Sequence, residues 1–251
     1  MSFYVIKLRH IILAVLAACA AFVIGFTAPK AVSVFNVGGR EIPIYSVETP
    51  DNNIAVTFDC AWNDEDIDAI LSTLSEYNCT ATFFVVGTWA EKYPDAVRKI
   101  SEAGHEIGNH SYNHADYTKL SAEEILADIE KCDSVINNIT GTTPPLVRAP
   151  SGGYNDTVVK AIEGSGRKCI QWSVDGIDYG NSEAQSIYDR CVKKTQSGDI
   201  ILLHNGTKNT ANVLPKILEA LECKFSFASV SDLIYHDNYT VDHTGRQFKK
   251  D

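Results

Sequence analysis

Residues 54–62 read Ile-Ala-Val-Thr-Phe-Asp-Cys-Ala-Trp, an apolar, β-branched run over 54–58 followed directly by Asp59. A continuous run of that kind suits a strand covered on both faces, as in parallel sheets. The same pattern recurs downstream. Short apolar runs at 81–86, 105–109, 145–147, 168–174, 200–203 and 224–228 read as further strands. The stretches 64–77, 94–103, 121–138, 156–164, 182–196 and 209–221 between them carry helical spacing. Ser121-Ala-Glu-Glu124 is a capping box, with Ile125 and Ile129 on one face of the helix it opens. Seven strands separated by helices predict a parallel α/β domain, either a barrel or a doubly wound sheet.

Composition narrows the function. The chain has 251 residues, 45% of them hydrophobic and 22% charged, which excludes a disordered or collagen-like protein. The net charge of -10 provides no basic surface for a nucleic-acid backbone, so no nucleic-acid partner is expected.

Upstream of the strands, residues Ile11 to Ala28 contain no charge and no proline, and Lys7 and Arg9 precede them. That is about the minimum length of a membrane-spanning helix, and the positive flank favours an exported domain. Segment 1–28 is therefore read as a cytoplasmic stub and membrane anchor, with a cleaved signal peptide or a lipoprotein signal as the rivals. The catalytic domain is expected outside the membrane, single-pass or secreted. Residues 29–50 read as a linker containing some strand-like alternation, 51–236 as the domain, and 237–251 as a polar, disordered tail. Export permits disulfides, yet none of the cysteines forms a C-x-x-C pair, and most are read as small buried residues.

In parallel α/β folds, functional groups gather where strands end. Following the proposed strands come Asp59, the pair His110 and His114, Arg148, Asp175 and His204. Two histidines at i and i+4 share a helix face and suit a first-row metal such as zinc. A catalytic zinc takes a third protein ligand and a water, which the Asp59-Cys60 corner is placed to supply. Asp59 suits a metal ligand or a general base, and His204 a general acid oriented by a carboxylate such as Asp175. Arg148 suits a charge-assisted partner of the base, and the Pro-Ser-Gly turn after it a backbone oxyanion donor. Taken singly, each residue has an ordinary structural reading; taken together, in this order, they read as one site.

The ordered motifs TFDCAW (57–62), HSYNH (110–114), RAPSG (148–152), WSVDGIDY (172–179) and LLH (202–204) resemble the polysaccharide deacetylases. These are the NodB-homology domains of carbohydrate esterase family four, and the resemblance covers roughly 53–235. The F-D-x-x-W form and the short N-terminal opening look most like that family's sporulation-associated, membrane-anchored branch. The resemblance implies a distorted (β/α) barrel that hydrolyses N-acetyl groups on amino sugars of cell-wall glycan, through a metal-bound water. Carried over by position, Asp59 is the base, His110 and His114 are metal ligands, and Arg148 tethers the base. Ser151 supplies the oxyanion N–H, and Asp175, or alternatively Asp178, supports the acid His204. Trp172 and Tyr154 are candidates for the sugar groove. A monomer is expected.

One position departs from the family. Where a second aspartate usually binds the metal, this chain has Cys60. A thiolate would complete a His₂Cys zinc site. Alternatively Cys60 is a packing residue and Asp59 or Asp64 compensates. A third possibility is that hydrolysis has been lost and a glycan-binding, morphogenetic surface remains. A metal-dependent amidase for small molecules is a further rival.

Overall fold

A computed structural model describes residues 39–180 and 182–250. The apolar segment 11–28 lies outside these residues. Among the described residues no helix is long and apolar enough to cross a membrane.

In chain order the strands are β1 (Ser46–Val47), β2 (Asn53–Cys60), β3 (Ala81–Val85), β4 (Glu106–Asn109), β5 (Leu146–Val147) and β6 (Lys168–Cys169). They continue as β7 (Val174–Asp175), β8 (Ile200–His204), β9 (Ser226–Phe227), β10 (Tyr239–Val241) and β11 (Arg246–Lys249). The main sheet runs β6-β5-β4-β3-β2-β8-β7, all parallel, with β9 added beside the start of β2. These seven parallel strands form a curled half-barrel, in line with the expected NodB-type barrel. Helices Ile67–Glu76, Pro94–Glu102, Ala122–Thr140, Asp156–Gly164, Ala184–Lys194 and Thr210–Glu222 match the six expected ones. The capping box is formed, with the Ser121 N–H donating to Glu124 Oε2 at 2.8 Å.

Strand β2 shows why the site forms where it does. Side chains along a strand alternate between faces. Ile54, Val56, Phe58 and Cys60 enter the large apolar layer under the helices, where Phe58 stacks on Phe83 at 5.0 Å. Asp59 falls on the opposite face, where it lines a cavity, and Thr57 shares that parity. Burying each such large apolar side chain contributes about 1.5–3 kcal/mol, so the register of β2 is firmly held.

Two sequence expectations change. The single strand read at 168–174 is divided, because β6 pairs with β5 while β7 pairs with β8 at the other end of the ladder. Between the two pieces, Ile44 bridges to Ile170, and the Gln171 N–H donates to Ile44 O. The tail 237–251 is also ordered through 250, with β10 and β11 pairing with each other and β11 with β1. Its polar composition misled because Gln247 acts as a backbone mimic. Its fully buried amide donates to Tyr235 O at 2.6 Å and accepts from Tyr235 N at 2.8 Å. The fold therefore includes 44–47 and 239–249, beyond the expected domain limits. Gly198 fits this docking, since a Cβ there would lie 1.7 Å from Val47 O.

All six cysteines among the described residues are free; five are buried and Cys223 is exposed.

Candidate active site

The registry of β2 and β8 sets Asp59 directly beside His204. Both line a cavity of about 540 Å³ with His110, His114, Ser151, Trp172 and Asp175. Of the eight residues singled out from the sequence, seven converge there, counting Arg148 through its bond to Asp59. Cys60 does not.

Arg148 is fully buried and donates from Nη1 to Asp59 Oδ1 at 2.7 Å and to Thr57 Oγ1 at 2.9 Å. Its guanidinium lies 3.9 Å above the Phe84 ring, and Nη2 donates to Gln171 O. A buried arginine this tightly held fixes its carboxylate in place. Burial would raise the Asp59 pKa, but the neighbouring His110, Arg148 and His204 outweigh it and hold the carboxyl below its ordinary value. Asp59 is thus an anion at neutral pH.

His204 ends β8. Its Nδ1 pairs with Asp178 Oδ1 at 2.7 Å, and its backbone N–H donates to Asp178 Oδ2 at 2.7 Å. Thr210 Oγ1 donates to the same oxygen at 2.5 Å. Burial pulls the imidazole pKa down, but the Asp178 hydrogen bond and the charges of Asp59 and Asp178 overcome it and raise the value. The expected partner Asp175 is corrected here. Its Oδ1 is turned back to accept from Ile177 N at 2.7 Å, and Asp178, the second candidate, holds the histidine.

The His110–His114 pair is not helical. β4 ends at Asn109, and Ser111 and His114 both have positive φ (71° and 59°), so the two rings meet across a strained turn. Asn109 Oδ1 accepts from Ser111 N, Asp128 accepts from Tyr112 N and from Tyr117 Oη, and these bonds pay for the strain. The ring centroids lie 5.1 Å apart, edge to face. His110 Nδ1 lies 2.9 Å from Arg148 O, and a carbonyl only accepts, so Nδ1 carries the proton. Burial pushes the His110 pKa down to about 4. The neutral ring then presents a bare Nε2 to Asp59 Oδ2, 3.3 Å away. Two acceptors that close are stable only with a cation or a proton between them.

The chemistry of that seat suits a metal, but the donor set is incomplete. Cys60 lies on the same strand face as Phe58, fully buried in the apolar layer. Burial, with the charges of Asp59 and Asp66, pushes its thiol well above the ordinary value. Among the described residues no three His, Cys, Asp or Glu side chains converge closely enough to hold an ion. The residues therefore do not fit the three protein ligands of a catalytic zinc, and the His₂Cys expectation is overturned by strand alternation.

Ser151 faces the cavity with φ 55°, while the N–H groups of Gly152 and Gly153 turn back to Ala149 O and Pro150 O. Trp172 lines the cavity as expected; Tyr154 instead packs edge-on against Tyr45 at 6.4 Å. The sequence reading missed Trp62 and Tyr179 as lining residues and Thr57 as the second partner of Arg148. Trp62 carried a legible signal, since it lies just past the end of β2.

The fold and cavity resemble those of the deacetylase barrels, and comparisons with known proteins agree. Residues 46–170 match the polysaccharide deacetylase family. The chain is 35% identical over 196 residues to a peptidoglycan-N-acetylglucosamine deacetylase of Bacillus cereus, covering 74% of this chain and 91% of that one. It is 34% identical over 190 residues to PdaC of Bacillus subtilis, a peptidoglycan-N-acetylmuramic acid deacetylase, covering 74% and 40%. The fold matches a CE4 family pseudoenzyme from Bacillus anthracis with a TM-score of 0.73 at 29% identity, covering 82% and 72%. This chain belongs to the polysaccharide deacetylase family. It spans 60% and 40% of the length of two of its curated relatives from Bacillus subtilis.

Proposed function

We propose that this chain is a hydrolase that removes N-acetyl groups from amino sugars of peptidoglycan. The observation that carries the reading is the register pairing of Asp59 with His204, each held by its own buried partner, on the wall of one cavity. Asp59, an anion fixed by Arg148, takes a proton from the water that attacks the acetyl carbonyl. The Ser151 backbone N–H would steady the oxygen as it becomes negative. His204, whose hold on its proton Asp178 strengthens, gives a proton to the leaving amine as the C–N bond breaks. The products are acetate and a free amino sugar.

Deacetylases of this family are generally metal-dependent. Here His110 and His114 would be the imidazole ligands of such an ion, zinc being the favoured one, and no third side-chain donor stands with them among the described residues. The apolar segment 11–28 would hold the domain outside the membrane.

A second reading rests on a specific observation. Cys60 faces the core, and one fold neighbour is described as a CE4 family pseudoenzyme. The chain would then bind wall glycan without cleaving it. Acetate release from N-acetylated peptidoglycan, with zinc, cobalt or manganese supplied, separates the two. Release by the wild type and its loss in Asp59→Asn supports hydrolysis. No release under any of these conditions supports the binding role.

A further inference from the structure

Helix Thr210–Glu222 buries an apolar face made by Val213, Leu214, Ile217, Leu218 and Leu221. Thr210 stands on that face, three and four residues before Val213 and Leu214, and is itself fully buried. A hydroxyl is the exception at such a position, because burying one is unfavourable unless it is hydrogen-bonded. Nor does the Thr210 hydroxyl serve the start of its own helix. There the Thr210 N–H donates to Thr207 Oγ1 at 3.2 Å, while the Asn209 amide turns away to Ser182 O. The Thr210 hydroxyl is instead committed to Asp178, the carboxylate that holds His204.

Chemistry fixes the direction of each bond in this chain. A carboxylate only accepts, so the Thr210 O–H donates to Asp178 Oδ2 at 2.5 Å. A hydroxyl carries one proton, so Thr207 is the donor in its 2.5 Å contact with Thr210 Oγ1. The two hydroxyls thus point the same way, and the outer one polarises the inner. Oδ2 also accepts from the His204 backbone N–H, whereas Oδ1 meets only the ring Nδ1, at 2.7 Å. Asp178 is 1% exposed, so these donors stand in for water around its charge.

From this geometry we infer that Thr210 is a positioning residue for the proposed acid: acting through Asp178, its hydroxyl ties down Oδ2 and limits how firmly Oδ1 grips the imidazole proton. The inference deepens the proposed function and rests on its reading of His204 as the acid. The other charged groups around the imidazole are Asp59 beside it on β2 and Arg148 behind Asp59. Tyr179 lies edge-on to the ring, Asp175, His110 and His114 line the same cavity, and the charge of Asp66 reaches Asp178. None of these is altered when Thr210 is replaced. Without the hydroxyl, the His204 N–H still turns Asp178 toward the ring, but the carboxylate charge is shared with one donor fewer. The imidazole proton is then held more tightly. A purely packing role predicts the opposite sign, since a loosened Asp178 would let burial of His204 weaken that hold.

The test is an NMR titration of His204 in the full chain, its ring signals assigned by their loss in His204→Gln. Wild type is compared with Thr210→Val, Thr210→Ser and Thr207→Val, each checked for native circular dichroism. The pH profile of acetate release from N-acetylated peptidoglycan is followed on the same samples. In Thr210→Val the His204 midpoint should rise by at least about 0.5 pH unit, and Thr210→Ser should restore it to within about 0.2. Thr207→Val removes only the outer hydroxyl and should give a smaller rise, which keeps the sign testable if Thr210→Val does not fold. A midpoint that is unchanged or lowered in the folded valine variants would overturn the inference, as would a serine variant displaced as far as valine. The positioning role and the hydrolase reading fail separately. A raised midpoint with no acetate release by any sample keeps Thr210 as the tuner of His204 and removes the hydrolase. Acetate release with an unmoved midpoint in Thr210→Val does the reverse.

Discussion

The two halves of the cavity are built to different degrees. On one side, Asp59 with Arg148 and His204 with Asp178 form two closed pairs, each partner buried and bonded at 2.7 Å. On the other, His110 and His114 meet across a strained turn, and the residue in the third-ligand position, Cys60, faces the core. The acid–base half needs nothing further to hold its charges. The imidazole half needs a partner that the described side chains do not provide. Asp59, His204, His110 and His114 line one cavity, whereas Cys60 is turned to the Phe58 face of β2, so the proposed acid–base pairs stand complete while the third donor of the metal seat is displaced.

The most severe way to break the complete half is to remove the proposed base. Asp59→Asn is expected to lower acetate release by about 10²–10⁴-fold in steady-state assays. Arg148→Met strikes the same pair through stability. It leaves Asp59 buried and unpaired and should cost about 3–5 kcal/mol in urea denaturation, while a loss below 1 kcal/mol would mean that water reaches the carboxylate. Asp178→Asn is milder. It removes the main support of the His204 charge while burial remains, so the imidazole should titrate below about 6.5 by NMR instead of above it. Cys60→Ala sharpens the other half. It should cost about 1 kcal/mol of packing and change neither acetate release nor zinc content. Loss of a bound zinc in that variant would return Cys60 to the metal.

The same pairs set the pH response. The folded pKa of Asp59 lies below its unfolded value, so its contribution to stability is present above about pH 4 and fades as pH falls through the folded value. His204 is raised, so its contribution is full below about pH 6.5 and is lost as pH rises through the folded value. The stability curve should therefore fall at both ends, which a denaturation series across pH would reveal.

Much of this was legible before any coordinates. The apolar run ending at Asp59 and its repeats gave the parallel sheet, and the residues after each strand gave most of the cavity. The sequence left Cys60 open between a metal ligand and a packing residue, and alternation along β2 decides for the Phe58 face. The choice of Asp178 over Asp175 was not legible, because it depends on how the chain turns at Ile177, a non-glycine residue with φ 47°. Nor was the ordered tail, since Gln247 has no apolar signature and is held in place by two hydrogen bonds to Tyr235. The division of the run at 168–174 stayed hidden because one apolar stretch serves both ends of the sheet.

The most direct test of the central claim is the pH profile of kcat/KM for acetate release from tetra-N-acetylchitotetraose, with zinc supplied. A working Asp59 base and His204 acid predict a bell, with its acid limb below the ordinary carboxylate range and its alkaline limb above about 6.5. A folded chain that binds the sugar yet releases no acetate at any pH would contradict it.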